Sequence, residues 1–249
     1  MSSPAMTLDP GPHGLAAPRR NLFFPTMAVL MLAAVVAGFW GTLFRPAEPL
    51  RPYLVVHGAI AVAWFALFTV QTLLAAAGRT DLHRRLGVAG VCLAIAVVAS
   101  SLYTMAQLPA NWRLQGIDVE ARRGLVGLVL WGDFGALVAF GVLLCRAVLR
   151  RRRLDAHKRL MLLAMFSIMS PALIRLAALP PFAGFDGVVL TMLGLLALGL
   201  TLVAYDLATL RRLHRETLWG VPFFLVVHLA PAFALPGTSL DRWVMGVIG

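Results

Sequence analysis

The sequence predicts an all-α fold: a polytopic integral membrane helix bundle, most simply of seven transmembrane helices with the N-terminus inside and the C-terminus outside. Composition is the first reason. Of 249 residues, 60% are hydrophobic and only 13% charged, where a soluble domain carries about a quarter charged residues, and mean hydropathy is +0.83. The second reason is the length of the apolar runs, seven of which approach the roughly 20 residues needed to cross about 30 Å of hydrocarbon. The third is where the cations fall. With the N-terminus inside, fifteen of the 22 Lys and Arg lie on the cytoplasmic side and six on the other, with Arg175 inside a run, as the positive-inside rule expects. The net charge of +11 is therefore mostly topological. It points to a bilayer with anionic headgroups as partner, not to nucleic acid, and the expected location is a bacterial inner membrane.

Along the chain, residues 1–20 are rich in Pro, Gly and Ser, lack an apolar core and read as a disordered cytoplasmic tail. Residues 21–249 form the transmembrane helical domain. "RRNLFF" superficially echoes a twin-arginine signal, but no convincing cleavage site follows the first apolar run. The seven candidates are 22–44, 54–77, 86–108, 125–147, 160–179, 188–209 and 219–236. The last is the weakest, because Pro222, Pro231 and Pro236 interrupt it. The tail "LDRWVMGVIG" either belongs to that element or lies at the interface, and a six-helix count with a re-entrant end stays open. Cys92 and Cys145 fall within apolar runs, where they serve as small apolar residues rather than a disulfide.

Connections of at most about 15 residues leave no room for a soluble domain between helices. Function must then be built from helices and their ends. No glycine-rich phosphate loop, nucleophile elbow, paired-cysteine metal motif or HExxH helix is present. What stands out is an echo: "DLHRRLG" at 81–87 and "DAHKRLM" at 155–161. Each follows a cytoplasmic loop and opens an outward-running helix. Asp81 and Asp155 are expected N-caps, which puts His83 and His157 in the first turn at matching depth. A third basic stretch, "RRLHRETLWG" with His214, follows the sixth run on the same side.

Ionisable residues inside hydrocarbon are functional candidates by default. Asp133 and Arg175 lie in consecutive runs joined by a tight loop, so they are expected to pair at similar depth, either fixing helix register or handling a substrate or proton. His57 sits near the outer end of the second run and His228 near the middle of the seventh; a depth difference of roughly 10 Å argues against one shared metal. Gln71, Tyr205 and Asp206 lie toward the inner ends and could line a polar pocket beneath the cytoplasmic histidines, with an interhelical hydrogen bond the plainer account of Gln71.

Two readings compete for the motif histidines. "HRR" and "HKR" can be helix starts that snorkel into headgroups. Alternatively, two neutral imidazoles take both axial positions of a haem while Arg84, Arg85, Lys158 and Arg159 meet its propionates. The run "HGAIAVAWFALFTVQTLLAAAGRTDLHRRLGVAG" resembles the "LH" and "LHSWLG"-type stretches of the bis-histidine transmembrane cytochromes b, the ascorbate and ferric reductase family. The pattern GRxxLHRRLG followed by HKRLM also resembles a group of uncharacterised bacterial polytopic inner-membrane proteins, a resemblance that covers most of the chain and brings no activity with it. The cytochrome resemblance implies haem b, with His83 and His157 as one axial pair and His57 offered to a second. Asp133 stands where an outer partner for His57 would be convenient, and only His228 remains.

The expectations are thus a haem b protein for electron transfer or haem handling, with quinone as a natural lipid-phase partner. Against it stand a small-molecule or lipid transporter or binding protein using His57, Asp133, Arg175 and His228, and an assembly partner of a larger membrane complex.

Overall fold

The computed structural model describes residues 21–44 and 49–248, and all regular structure among them is helical. The expected tail 1–20 and Arg45 lie outside the described residues. The elements are α1 (Phe23–Gly38), α2 (Trp40–Phe44), α3 (Pro52–Ala76), α4 (Thr80–Ala106), α5 (Leu108–Leu114), α6 (Arg123–Leu149), α7 (Leu154–Ser167), α8 (Ser170–Leu176), α9 (Gly187–Leu210), α10 (Arg215–Ala234) and α11 (Ser239–Ile248), with a 3₁₀ turn at Pro180–Phe182.

Five helices, α3, α4, α6, α9 and α10, are long and apolar enough to cross a membrane; α7 and α8, bent by 52° at their junction, make a sixth as one broken span. This architecture is compatible with a multi-pass integral membrane protein. The shortfall from seven falls at the opposite end of the chain from where proline content puts it. The first run forms a helix of only 16 residues before a break at Phe39, whereas the last forms 20 continuous residues through Pro222 and Pro231. The outer surface carries the apolar residues a lipid environment calls for, among them Val55, Val88, Ile95, Leu193, Leu200 and Val226, all exposed.

The way α10 accommodates Pro231 is visible in its packing. Proline supplies no N–H to the carbonyl four residues back, that of Val227. That carbonyl lies against Gly135 of α6, where an added Cβ would sit 2.2 Å from it and 3.1 Å from the His228 carbonyl. Glycine lets the two backbones close to the distance of a Cα–H···O contact. The α6–α10 pair built on this approach is the most extensive in the bundle, and the α3–α4 and α6–α7 hairpins complete its frame.

Helices α4, α7 and α10 begin at one end of the bundle, and α3, α6 and α9 finish there. This basic end carries Arg79, Arg84, Arg85, Arg150–Arg153 and Arg211, Arg212 and Arg215. At the far end, α11 caps the start of α6. Asp241, fully buried, accepts hydrogen bonds from Trp131 Nε1 and the Gly237 amide, each 2.8 Å long. Met245 joins Val119, Val126 and Leu130 in a small apolar cluster there. A 10-residue helix spans only about 15 Å, so the tail is a separate element lying across the end of the bundle rather than the finish of a crossing.

Replacing Gly135 with Ala should cost at least about 1–3 kcal/mol through overpacking and lower the unfolding temperature in detergent. Gly141→Ala in the same helix, where nothing lies within 4 Å of the added Cβ, should leave it unchanged.

Candidate functional site

The two motif copies adopt the same helical register. Because α4 starts at Thr80 and α7 at Leu154, Asp81 and Asp155 are second residues of their helices and His83 and His157 are fourth. The aspartates are thus not N-caps. Arg79 and Arg153 occupy the cap positions, without a side-chain cap in either case, and the acids act through the helix dipole in the first turn. Asp155 additionally pairs with Lys158 at 2.5 Å and lies 3.8 Å from Arg159.

Each histidine turns back onto the helix before it. His83 Nδ1 meets the Gln71 carbonyl at 3.3 Å, and His157 Nδ1 meets the Ala147 carbonyl at 2.9 Å. A carbonyl only accepts, so Nδ1 carries the proton and Nε2 is left with its lone pair. Among the described residues, no hydrogen bond occupies either Nε2. The rings meet edge to face, with centres 6.4 Å apart and planes at 86°. Helices α4 and α7 do not pack extensively on one another; α4 leans on α3 and α6, and α7 on α6 and α10. The imidazoles therefore meet where two hairpins adjoin. Gln71 lies beside His83: its Nε2 donates to the His83 carbonyl at 3.1 Å, and its Oε1 is buried without a partner.

The neighbouring cations divide. Arg84 and Arg85 are exposed beside His83, and Lys158 lies over the Phe24 ring at 5.4 Å. Arg159, grouped with them by its place in the motif, is 1% exposed and committed inside the bundle. Its Nε and Nη2 donate to Asp206 Oδ1 at 2.8 and 2.5 Å, and its Nη1 to the Asp155 carbonyl at 2.9 Å. It has no fork left for a propionate or a headgroup. Asp206 is correspondingly not a pocket lining but an anchor, whose Oδ2 also accepts the His214 amide at 2.9 Å. Tyr205 stacks on Phe23 with ring centres 4.2 Å apart and accepts a hydrogen bond from Asn21.

His214 itself caps α10. Its Nδ1 accepts the Glu216 amide at 3.1 Å, a role normally taken by Ser, Thr, Asp or Asn. Glu216, only 3% exposed, receives Arg146 through Nε at 2.8 Å and Nη2 at 3.1 Å. Neither the Arg146–Glu216 fork nor the Trp131–Asp241 bond was visible from sequence spacing. For α11 a signal existed in the T-x-x-D pattern at Thr238 and Asp241, and Thr238 Oγ1 does accept the Asp241 amide at 3.2 Å.

Of the candidates inside the apolar runs, Arg175 lies within electrostatic reach of both Asp133 and His57. No ion pair joins Asp133 to Arg175 among the described residues: Ser170 Oγ donates to Asp133 at 3.4 Å, while Arg175 is exposed, donates to the Pro171 carbonyl at 2.7 Å and lies over Phe39 at 4.3 Å. His57 Nδ1 bonds Ser100 Oγ at 3.0 Å within the α3–α4 hairpin. His228 is buried in the α6–α10 contact, its Nδ1 without a partner. No group of three or more His, Cys, Asp or Glu among the described residues could hold a metal ion, and Cys92 and Cys145 are free and exposed on helix surfaces. No protein-family model, curated protein or solved structure matches the chain.

Two measurements follow from the basic end. Arg159→Met strands Asp206 as a buried charge and should cost about 3–5 kcal/mol of stability; adding Asp206→Leu should recover part of it. Burial and the nearby Arg159 charge hold the His214 pKa below its ordinary value, with Asp206, Glu216 and Asp155 opposing. The unfolded state thus takes up the proton first, and stability should fall as pH drops below about 6.5. His214→Asn, which keeps a cap without titrating, should flatten that loss in a melting-temperature series.

Proposed function

We propose that the protein binds haem b between His83 and His157 and serves electron transfer or haem handling in a bacterial inner membrane. The observation that supports this most directly is the adjoining pair of imidazoles, each held through Nδ1 by a backbone carbonyl with Nε2 unengaged. Metal-ligating histidines almost always use the other ring nitrogen in this way, since the second bond fixes the tautomer and aims the ligand. His83 and His157, whose ring centres lie 6.4 Å apart, would hold the iron through their unengaged Nε2 atoms.

The surroundings fit as well. The two histidines sit where two hairpins adjoin, and the neighbouring Gln71 Oε1 is buried without a partner. Gly87, one turn beyond His83, keeps the α4 face smooth; a Cβ there would meet only Gln71 Nε2, at 3.9 Å. Arg84, Arg85 and Lys158 would serve the propionates, and Arg159 would not. Bound haem would supply a one-electron iron couple; the chain's own part is to orient both imidazoles through their Nδ1 hydrogen bonds. In this reading the basic end faces the cytoplasm, and residues 23–44, roughly 33 Å if helical throughout, complete a seventh crossing through α1 and α2. Quinone is the partner such a site would meet in the bilayer.

A second reading, small-molecule handling in the membrane, draws on the meeting of Ser170 and Asp133 at the break between α7 and α8. The visible spectrum separates the two. Detergent-purified protein, expressed with ample haem, should show the reduced α-band of a bis-histidine haem b, lost in both His83→Ala and His157→Ala. A colourless protein, or a band surviving both substitutions, would overturn the haem proposal.

A further inference from the structure

At the basic end, the turn between α6 and α7 and the start of α10 border a solvent-open cavity of about 250 Å³. It lies against Asp155 and Ala156, away from the Ala147 carbonyl that holds His157. Three arginines line it: Arg150, Arg153 and Arg215. Among the described residues, none of the three side chains has an ion pair, hydrogen bond or ring partner.

The carboxylates within reach are already engaged. Glu216 accepts both arms of Arg146, Asp155 holds Lys158 and lies near Arg159, and Asp206 closes on Arg159 and the His214 amide. Each acid that could neutralise the cavity is thus satisfied by a cation outside the trio. The lining keeps an excess of positive charge, and the N-terminal ends of α7 and α10 point their dipoles the same way. Arginine's fork suits the paired oxygens of a phosphate better than a point cation does. The volume is below the range of drug-sized ligand sites, which suits a compact anion rather than a whole lipid or a nucleotide.

We propose that this cavity binds a phosphate-bearing anion, a glycerophosphate-type headgroup, through Arg150, Arg153 and Arg215. Topology alone requires cations at this end but does not require three arginines without an ion-pair partner to line one hollow. The same chemistry is offered by an anionic phospholipid of the facing leaflet and by a free phosphomonoester. The proposal does not depend on haem.

The test is titration of the full-length chain in neutral detergent with dihexanoyl-phosphatidylglycerol, dihexanoyl-phosphatidylcholine and glycerol 3-phosphate. Binding of phosphatidylglycerol but not phosphatidylcholine is expected, weakened at least about tenfold in R153Q/R215Q. R151Q/R152Q removes the same charge from exposed residues of the same turn that do not line the cavity, and it should change affinity less than about twofold. Binding of glycerol 3-phosphate as tight as that of the lipid assigns the site to a soluble phosphomonoester, and lipid binding alone assigns it to the headgroup. Equal weakening in both double variants, or binding of none of the three, overturns the proposal. Should R153Q/R215Q not fold, the single variant R215Q reads the same comparison.

Discussion

Arg159 and Asp206 form the contact on which the basic end of the bundle depends. An arginine removed from solvent is costly unless it is paired and hydrogen-bonded, and here α9 and α7 supply the acceptors. Asp206 of α9 takes two donors and the first turn of α7 takes another. The remaining carboxylate oxygen holds the amide that leads into α10. An ionic junction satisfied in this way tolerates little sliding. It fixes the rotation and height of α7, and His157, two residues before Arg159, inherits its position from that constraint.

The two histidines share a register but not a mechanical setting. Helix α7 is buried almost from end to end, from Leu160 through Ser167, whereas α4 buries only Ala94 and Val97. The hydrogen bond to the preceding helix is correspondingly shorter for His157, at 2.9 Å, than for His83, at 3.3 Å. One imidazole thus belongs to the core and the other to a hairpin on its margin. Whatever occupies the space between them would also tie that hairpin to the rest of the bundle, contributing to stability as any ligand of the folded state does.

Much of this was legible in the chain. Apolar run length located every long helix to within a few residues, since crossing hydrocarbon leaves few alternatives to a helix. The repeat of Asp, His, two cations and Leu located the adjoining histidines. Spacing could not show which of the motif's cations turns inward, because Lys158 and Arg159 are adjacent and differ only by the helical rotation that aims one at Asp206. Nor could it show that Asp133 takes a hydrogen bond from Ser170 rather than an ion pair with Arg175. That depends on the break after Ser167, where Pro171 in the first turn of α8 suits a new helix start and the axis changes by 52°. The prolines of α10 were read as interruptions because the glycine that accommodates one of them lies on another helix, nearly a hundred positions earlier. Long-range compensation of that kind leaves no periodic trace.

The bond between Trp131 and Asp241 has a consequence for how the chain is made. The partners are 110 residues apart, and at roughly 5–20 residues per second Asp241 leaves the ribosome on the order of ten seconds after Trp131. Throughout that interval α6 lacks both the acceptor its indole N–H takes in the folded chain and the Met245 cover of its Val126–Leu130 face. Docking of α11 is therefore the last packing step of the bundle, open only once every other helix has been made.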